Sequence, residues 1–239
     1  MDHQMTMGDL PGHIYPGLAY VFWGVAWAVW LLRRGGNVAS HPWSAQPDAG
    51  LAEAPAAMAS WESWVKIVIP LVEMAGELRW VTWPMTDESA TIYAHILADV
   101  AVILSGVADR LTARKVLPPA SDRMALALAF FVPSFLFAMH GQHGPVATAA
   151  HRLFAGTLFA VGALVLLQHV RPAPIFLWLR TYAAILAGAW FLQTGWMLYV
   201  AGYDLMSEGV AVRGYLFFTL YAVGLAMLLA AALAARRRA

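Results

Sequence analysis

The chain has 239 residues, 61% of them hydrophobic and 12% charged, whereas soluble domains have about 45–50% and about 25% respectively. That composition is characteristic of an integral membrane protein, and a net charge of +1, carried in short basic clusters between apolar runs, excludes a nucleic-acid-binding surface. The absence of cysteine excludes disulfides, thiolate nucleophiles and iron–sulfur clusters, so any metal must be held by nitrogen, oxygen or thioether sulfur.

The first dozen residues, MDHQMTMGDLPG, lack the basic and apolar regions of a signal peptide, so the first helix is expected to serve as the insertion signal. His3, Met5 and Met7 in this tail combine imidazole with thioether, which suits copper. A membrane-crossing helix needs about 17–25 apolar residues. Seven stretches qualify: 13–33, 62–82, 91–112, 123–140, 147–168, 174–201 and 211–235. The second is interrupted by Lys66, Pro70, Glu73 and Glu77. The fold class is therefore all-α, a polytopic membrane protein forming one seven-helix domain over residues 1–239. Residues 35–60, rich in Ala, Gly, Pro and Ser, read as a flexible cytoplasmic linker.

Orientation follows from where Lys and Arg collect. Arg33, Arg34, Arg110, Arg114, Lys115, Arg123, Arg171 and Arg236 to Arg238 fall on one side of a seven-helix arrangement, and Arg79, Arg152 and Arg213 on the other. This places the N-terminus outside and the C-terminus in the cytoplasm of a plasma or inner membrane.

Six of the eight histidines, His3, His13, His95, His140, His143 and His151, then belong to the outer side. Depth counted along each helix at about 1.5 Å per residue puts Glu73, Glu77, Asp99 and Gln193 at the same level. Glu73 with Glu77, and His95 with Asp99, are spaced four apart and share a helix face. Ionisable groups inside hydrocarbon need partners, a cavity or a metal, and so mark a site. Mixed imidazole and carboxylate suits copper, zinc, iron or manganese rather than calcium or magnesium. Nearer the cytoplasm, Asp109 and Arg180 lie at matching depth and are expected to brace one another. Gly17 with Gly24, and Gly188 with Gly195, read as close helix-packing positions.

The strings GHIYPGLAYVFWGVAW (12–27), SGVADRL (105–111), FLFAMHGQHGPVATAAH (135–151) and LRTYAAILAGAWFLQTGWMLY (179–199) resemble the transmembrane protein 45 family, also called domain of unknown function 716. The resemblance implies a seven-helix membrane protein. By it, His13, Glu77, His95, Asp109, His143, His151, Arg180, Trp190 and Gln193 match positions of the family pattern. The chain departs from the eukaryotic members in carrying His140-Gly-Gln-His143 where they have two histidines one residue apart. It also has only Tyr215, Phe217, Phe218 and Tyr221 where they have a histidine in the last helix.

The residues point to a membrane-embedded metalloenzyme. His95, His140, His143, His151, Glu77 and His13 are its candidate ligands for copper or zinc, and Glu73, Glu77 and Asp99 its candidate acid–base groups. Its substrate would be a lipid or other apolar molecule entering from the outer leaflet. The alternative is non-catalytic copper or zinc binding, storage or delivery, as a subunit of a larger membrane complex. A haem held by two of the imidazoles is a third reading. A retinal Schiff base is excluded because the seventh span has no lysine.

Overall fold

The computed structural model describes residues 10–34, 56–139, 144–171 and 173–236. These residues are helical with no strand, in the order α1 (Leu10–Arg34), α2 (Ala56–Glu77), α3 (Asp87–Ala113), α4 (Ser121–Met139), α5 (Pro145–Val170), α6 (Pro174–Tyr199) and α7 (Glu208–Arg236), with a short 3-10 turn at Leu78–Trp80 closing α2. All but α2 are long and apolar enough to cross a membrane. Local chemistry marks the helix starts. Thr86 caps α3, its hydroxyl accepting from Ser89 N while Thr86 N donates to Ser89 Oγ. Proline opens α5 and α6 where no backbone donor is needed. Gly144, at φ +117°, turns the chain into α5 against Leu205 O, where a Cβ would lie 2.7 Å from that oxygen.

The helices neighbour one another in the order α2, α3, α4, α5, α6, α1, with α7 laid against α5 and α6. Glycine sets the closest approach, between α1 and α6: a Cβ on Gly188 would lie 2.5 Å from Val21 N, and one on Gly24 2.9 Å from Ile185 N. Gly17 and Gly195 meet Leu192 and His13 in the same way, so the small-residue reading of all four holds. Around this seam sit Trp23, Trp27, Phe130, Phe154, Trp190 and Phe191, with Phe154 and Phe191 stacked at 4.1 Å. The Trp190 indole donates to Ala150 O at 2.9 Å, tying α6 to α5.

α2 is the exception that explains itself once its faces are separated. Glu62, Lys66, Glu73 and Glu77 follow helical spacing along one side and turn inward, while Trp64 (51% exposed) and Val72 (66%) face outward. In a bilayer this is the stable arrangement, because lipid solvates the apolar face and protein must satisfy the polar one. α3 supplies the partners in antiparallel register: Glu77 meets His95, Glu73 meets Asp99, and Lys66 meets Asp109. Gly106 permits the approach, since a Cβ there would lie 2.7 Å from Ser63 O and 2.9 Å from Lys66 Cβ.

Two sequence expectations are corrected. Residues 56–60 of the expected linker are helical and begin α2; its remainder, 35–55, lies outside the described residues, as do His3, Met5 and Met7. Asp109 and Arg180 do not brace one another. Asp109 Oδ2 accepts from Lys66 Nζ at 2.8 Å, because the lysine, only 3% exposed, must meet its charge within the protein. Arg180 instead lies over the Trp27 ring at 4.0 Å, within the field of Glu62. Glu62 completes this inner network, accepting from Trp23 Nε1 at 2.8 Å and Trp27 Nε1 at 3.5 Å, with Lys66 Nζ 3.5 Å away.

The orientation is testable against a cysteine-free background. Met206→Cys, between α6 and α7, is expected to react with an impermeant maleimide on intact cells, and Val116→Cys, between α3 and α4, only after permeabilisation; the opposite result reverses the orientation. Lys66→Met strands the Asp109 charge and is expected to lose about 3–5 kcal/mol of stability, whereas Lys66→Met with Asp109→Leu regains most of it. Unfolding of both variants in detergent measures the difference.

Candidate functional site

The candidate residues that the structure describes cluster in the half of the bundle that holds the α1 start and the α2 end. They fall into two groups separated by a phenyl ring.

The acidic group lies between α2 and α3. His95 Nδ1 is 3.2 Å from Glu77 Oε1, so the histidine takes a carboxylate from the neighbouring helix rather than Asp99 one turn along its own. Asp99 is thereby left near Glu73, within electrostatic reach of that carboxyl and of His95 and Glu77. Tyr20 of α1 lies within electrostatic reach of Glu73 and Asp99, and its ring packs on Phe130 and Phe154. Glu73 Oε1 is buried and has no hydrogen-bond partner.

The imidazole group lies between α1, α5 and α6. His13 and His151 are 4% and 3% exposed, and their rings meet edge to face at 5.8 Å. His13 stacks on Phe191 at 4.7 Å and meets Tyr199 at 5.2 Å. His151 Nδ1 lies 2.8 Å from Ala147 O. A carbonyl can only accept, so Nδ1 carries a proton, and in the neutral ring the lone pair is on Nε2.

Phe137 of α4 stands between the groups, 5.7 Å from His95 and 6.0 Å from His151, nearly parallel to the latter. The single layer expected from depth counting is therefore two adjoining compartments. Among the described residues, no three His, Asp or Glu side chains come together closely enough to hold a metal ion. His140 and His143, which connect α4 to α5, lie outside the described residues. Gln193, placed in the same layer by depth, turns toward α7, where its Oε1 accepts from Tyr221 at 3.0 Å.

Two participants were not identified from the sequence. Tyr20 lies ten residues into α1, and a phenol that deep needs a polar partner, which is the signal that could have found it. Phe137 carried no signal, since an apolar residue in an apolar helix reveals its neighbours only when the helices pack. The Lys66 partner of Asp109 was also missed, because depth counting weighs level but not which helices touch.

Residues 119–213 match the model of a family described as a family of unknown function, domain of unknown function 716. The match runs from the end of the α3–α4 connection into the first turns of α7 and bears out the family resemblance read from the sequence. It includes His140, His143 and His151 but ends short of the acidic group and His13, which precede residue 119.

The His151 tautomer has a direct check. Solid-state resonance spectra of isotope-labelled histidine, assigned by comparison with His151→Gln, are expected to show protonated Nδ1 and unprotonated Nε2 at neutral pH; the reverse tautomer contradicts the Ala147 hydrogen bond.

Proposed function

We propose that this integral membrane protein is a metal-dependent membrane enzyme whose two compartments divide the work. The imidazole side, His13 and His151 together with His140 and His143, holds a copper or zinc ion. The acidic side, Glu73, Glu77, His95 and Asp99, moves protons for a reaction on an apolar molecule in the outer half of the bilayer. Such an ion, when bound, lowers the pKa of a coordinated water or polarises a substrate oxygen.

The observation that carries this reading is the state of the two histidines that flank Phe137. Both have Nδ1 engaged by an oxygen acceptor, Glu77 for His95 and Ala147 for His151. That arrangement orients an imidazole, fixes its tautomer and raises the basicity of Nε2, as is usual for metal-ligating histidine. His95 and Glu77 are thus suited to either role, ligand with its orienting carboxylate or proton relay. Separating them from His151 by one ring favours the relay. The neighbouring Glu73 and Asp99 give a proton at His95 somewhere to go.

Metal storage or delivery without catalysis uses the same imidazoles but has no need of the acidic compartment. A transporter would need a polar path continuing to the other face, and the inner network of Glu62, Lys66 and Asp109 is bound up in its own ion pairs and indole hydrogen bonds.

Elemental analysis of protein purified without a histidine tag tests the metal. A stoichiometric transition metal is expected in the wild type and in Glu73→Gln, with loss of at least most of it in His151→Ala and in the His140→Ala, His143→Ala double variant. Wild-type protein without stoichiometric metal overturns the proposal. Full occupancy after His95→Ala assigns that residue to the acidic side.

A further inference from the structure

α1 and α2 stand next to each other in the helix order yet touch little. At the inner end they are pinned by the Trp23 and Trp27 hydrogen bonds to Glu62. Toward the outer end they diverge around a cleft of about 330 Å³. Its walls include Leu18, Ala19 and Phe22 of α1 and Val68 and Val72 of α2, and its polar lining residues are Tyr15, with a phenol, and Glu73, with the cleft's carboxyl. Leu18, Phe22 and Val72 are each more than half exposed, so in a membrane the cleft opens sideways into hydrocarbon.

We propose that this cleft admits a single apolar chain from the bilayer and recognises a hydrogen-bond-donating head group, hydroxyl or amine, at Glu73. Three observations define the occupant. The walls are aliphatic and aromatic, which suits a hydrocarbon chain. The volume lies at the lower end of the range of about 300–1,000 Å³ usual for small-molecule sites, which suits a single chain. Glu73 Oε1 is buried without a hydrogen-bond partner, an acceptor that only a donor can satisfy where water is absent. An anionic head group is disfavoured, because Asp99 and Glu77 add their carboxyls to that of Glu73. A donor seated on Glu73 lies beside Asp99 and Tyr20, at the entrance to the acidic compartment.

This inference rests on the reading of that compartment as an acid–base site for an apolar molecule, and names the class of molecule. It does not depend on the metal. The full-length protein in phosphatidylcholine nanodiscs is photolabelled with a diazirine derivative of hexadecanol, and the adducts are mapped by peptide mass spectrometry. Saturable labelling is expected on the segments 15–22 and 68–73 that line the cleft. Excess hexadecanol or hexadecylamine is expected to reduce it by about tenfold or more, the equivalent of one well-made hydrogen bond to a charged or buried acceptor. Hexadecane and hexadecanoate are expected to compete poorly. The alcohol and amine arms separate a neutral from a cationic donor, and success of either supports the proposal. Equal competition by hexadecane, or labelling that does not saturate, means ordinary boundary lipid and overturns it.

Glu73→Leu is expected to abolish the preference for alcohol over hexadecane, and Ala19→Trp to abolish the adduct by filling the cleft. The wild-type competition decides the matter even where a variant fails to fold. His151→Ala is expected to keep the adduct. Labelling in protein that carries no metal therefore leaves this inference standing while the metal reading falls, and metal without saturable labelling does the reverse.

Discussion

The structure depends on the way α2 satisfies its charges. A helix carrying Glu62, Lys66, Glu73 and Glu77 cannot stand in hydrocarbon by itself, since an unpaired ion there is costly by any measure. Packed on α3, two of these charges meet a complementary group at the same level, Lys66 with Asp109 and Glu77 with His95, while Glu73 is left beside a second carboxyl, Asp99. In a medium without competing water, these contacts decide register as firmly as an apolar seam does in a soluble protein. Gly106 makes the approach possible, and the exposed Trp64, Val68 and Val72 let lipid cover the other side.

That pairing has a consequence at each end of the helix. At the inner end the ions are consumed: Lys66 lies between two carboxylates, and Glu62 is further held by two indoles. This end is an anchor, and it draws α1 toward α2. At the outer end the accounts do not close. Two carboxyls lie near each other, a third holds a histidine, and an oxygen of Glu73 lacks a donor. Proteins tolerate incompletely satisfied polar groups where a ligand or a reaction completes them. The same helix thus provides a closed brace and an open site, and the cleft between α1 and α2 lies beside the open one.

The histidines on the far side of Phe137 are held by different means. His13 is fixed by aromatic stacking and by the closeness that Gly195 allows, and His151 by a hydrogen bond to its own preceding turn. Neither constraint comes from α2 or α3. The two compartments are accordingly built from separate helix contacts, α2 with α3 and α1 with α5 and α6, and one ring of α4 keeps them apart. This division lets a proton-handling group and an imidazole group sit within a few ångströms without collapsing into one another.

Length and hydropathy were enough to determine the helical class and to mark the six helices long and apolar enough to cross a membrane, because a backbone in lipid has to bond within its own segment. Helical spacing was enough to put Glu73 with Glu77 and His95 with Asp99 on common faces, and the small residues of α1 and α6 marked a seam that is present. Depth counting also brought the outer acids and histidines to one half of the bundle. What it could not supply was azimuth. Asp109 and Arg180 do share a level, yet Asp109 turns to α2 and Arg180 to the Trp27 ring, and Gln193 turns to α7. Which neighbour a side chain meets depends on how the helices are ordered around the bundle and how each is rotated, and those are set by the sum of glycine contacts, aromatic packing and ion pairing across all of them. The sequence by itself therefore determined the helical class and which polar groups share a helix face; only the tertiary structure decided which of them touch across helices, and that Phe137 divides them.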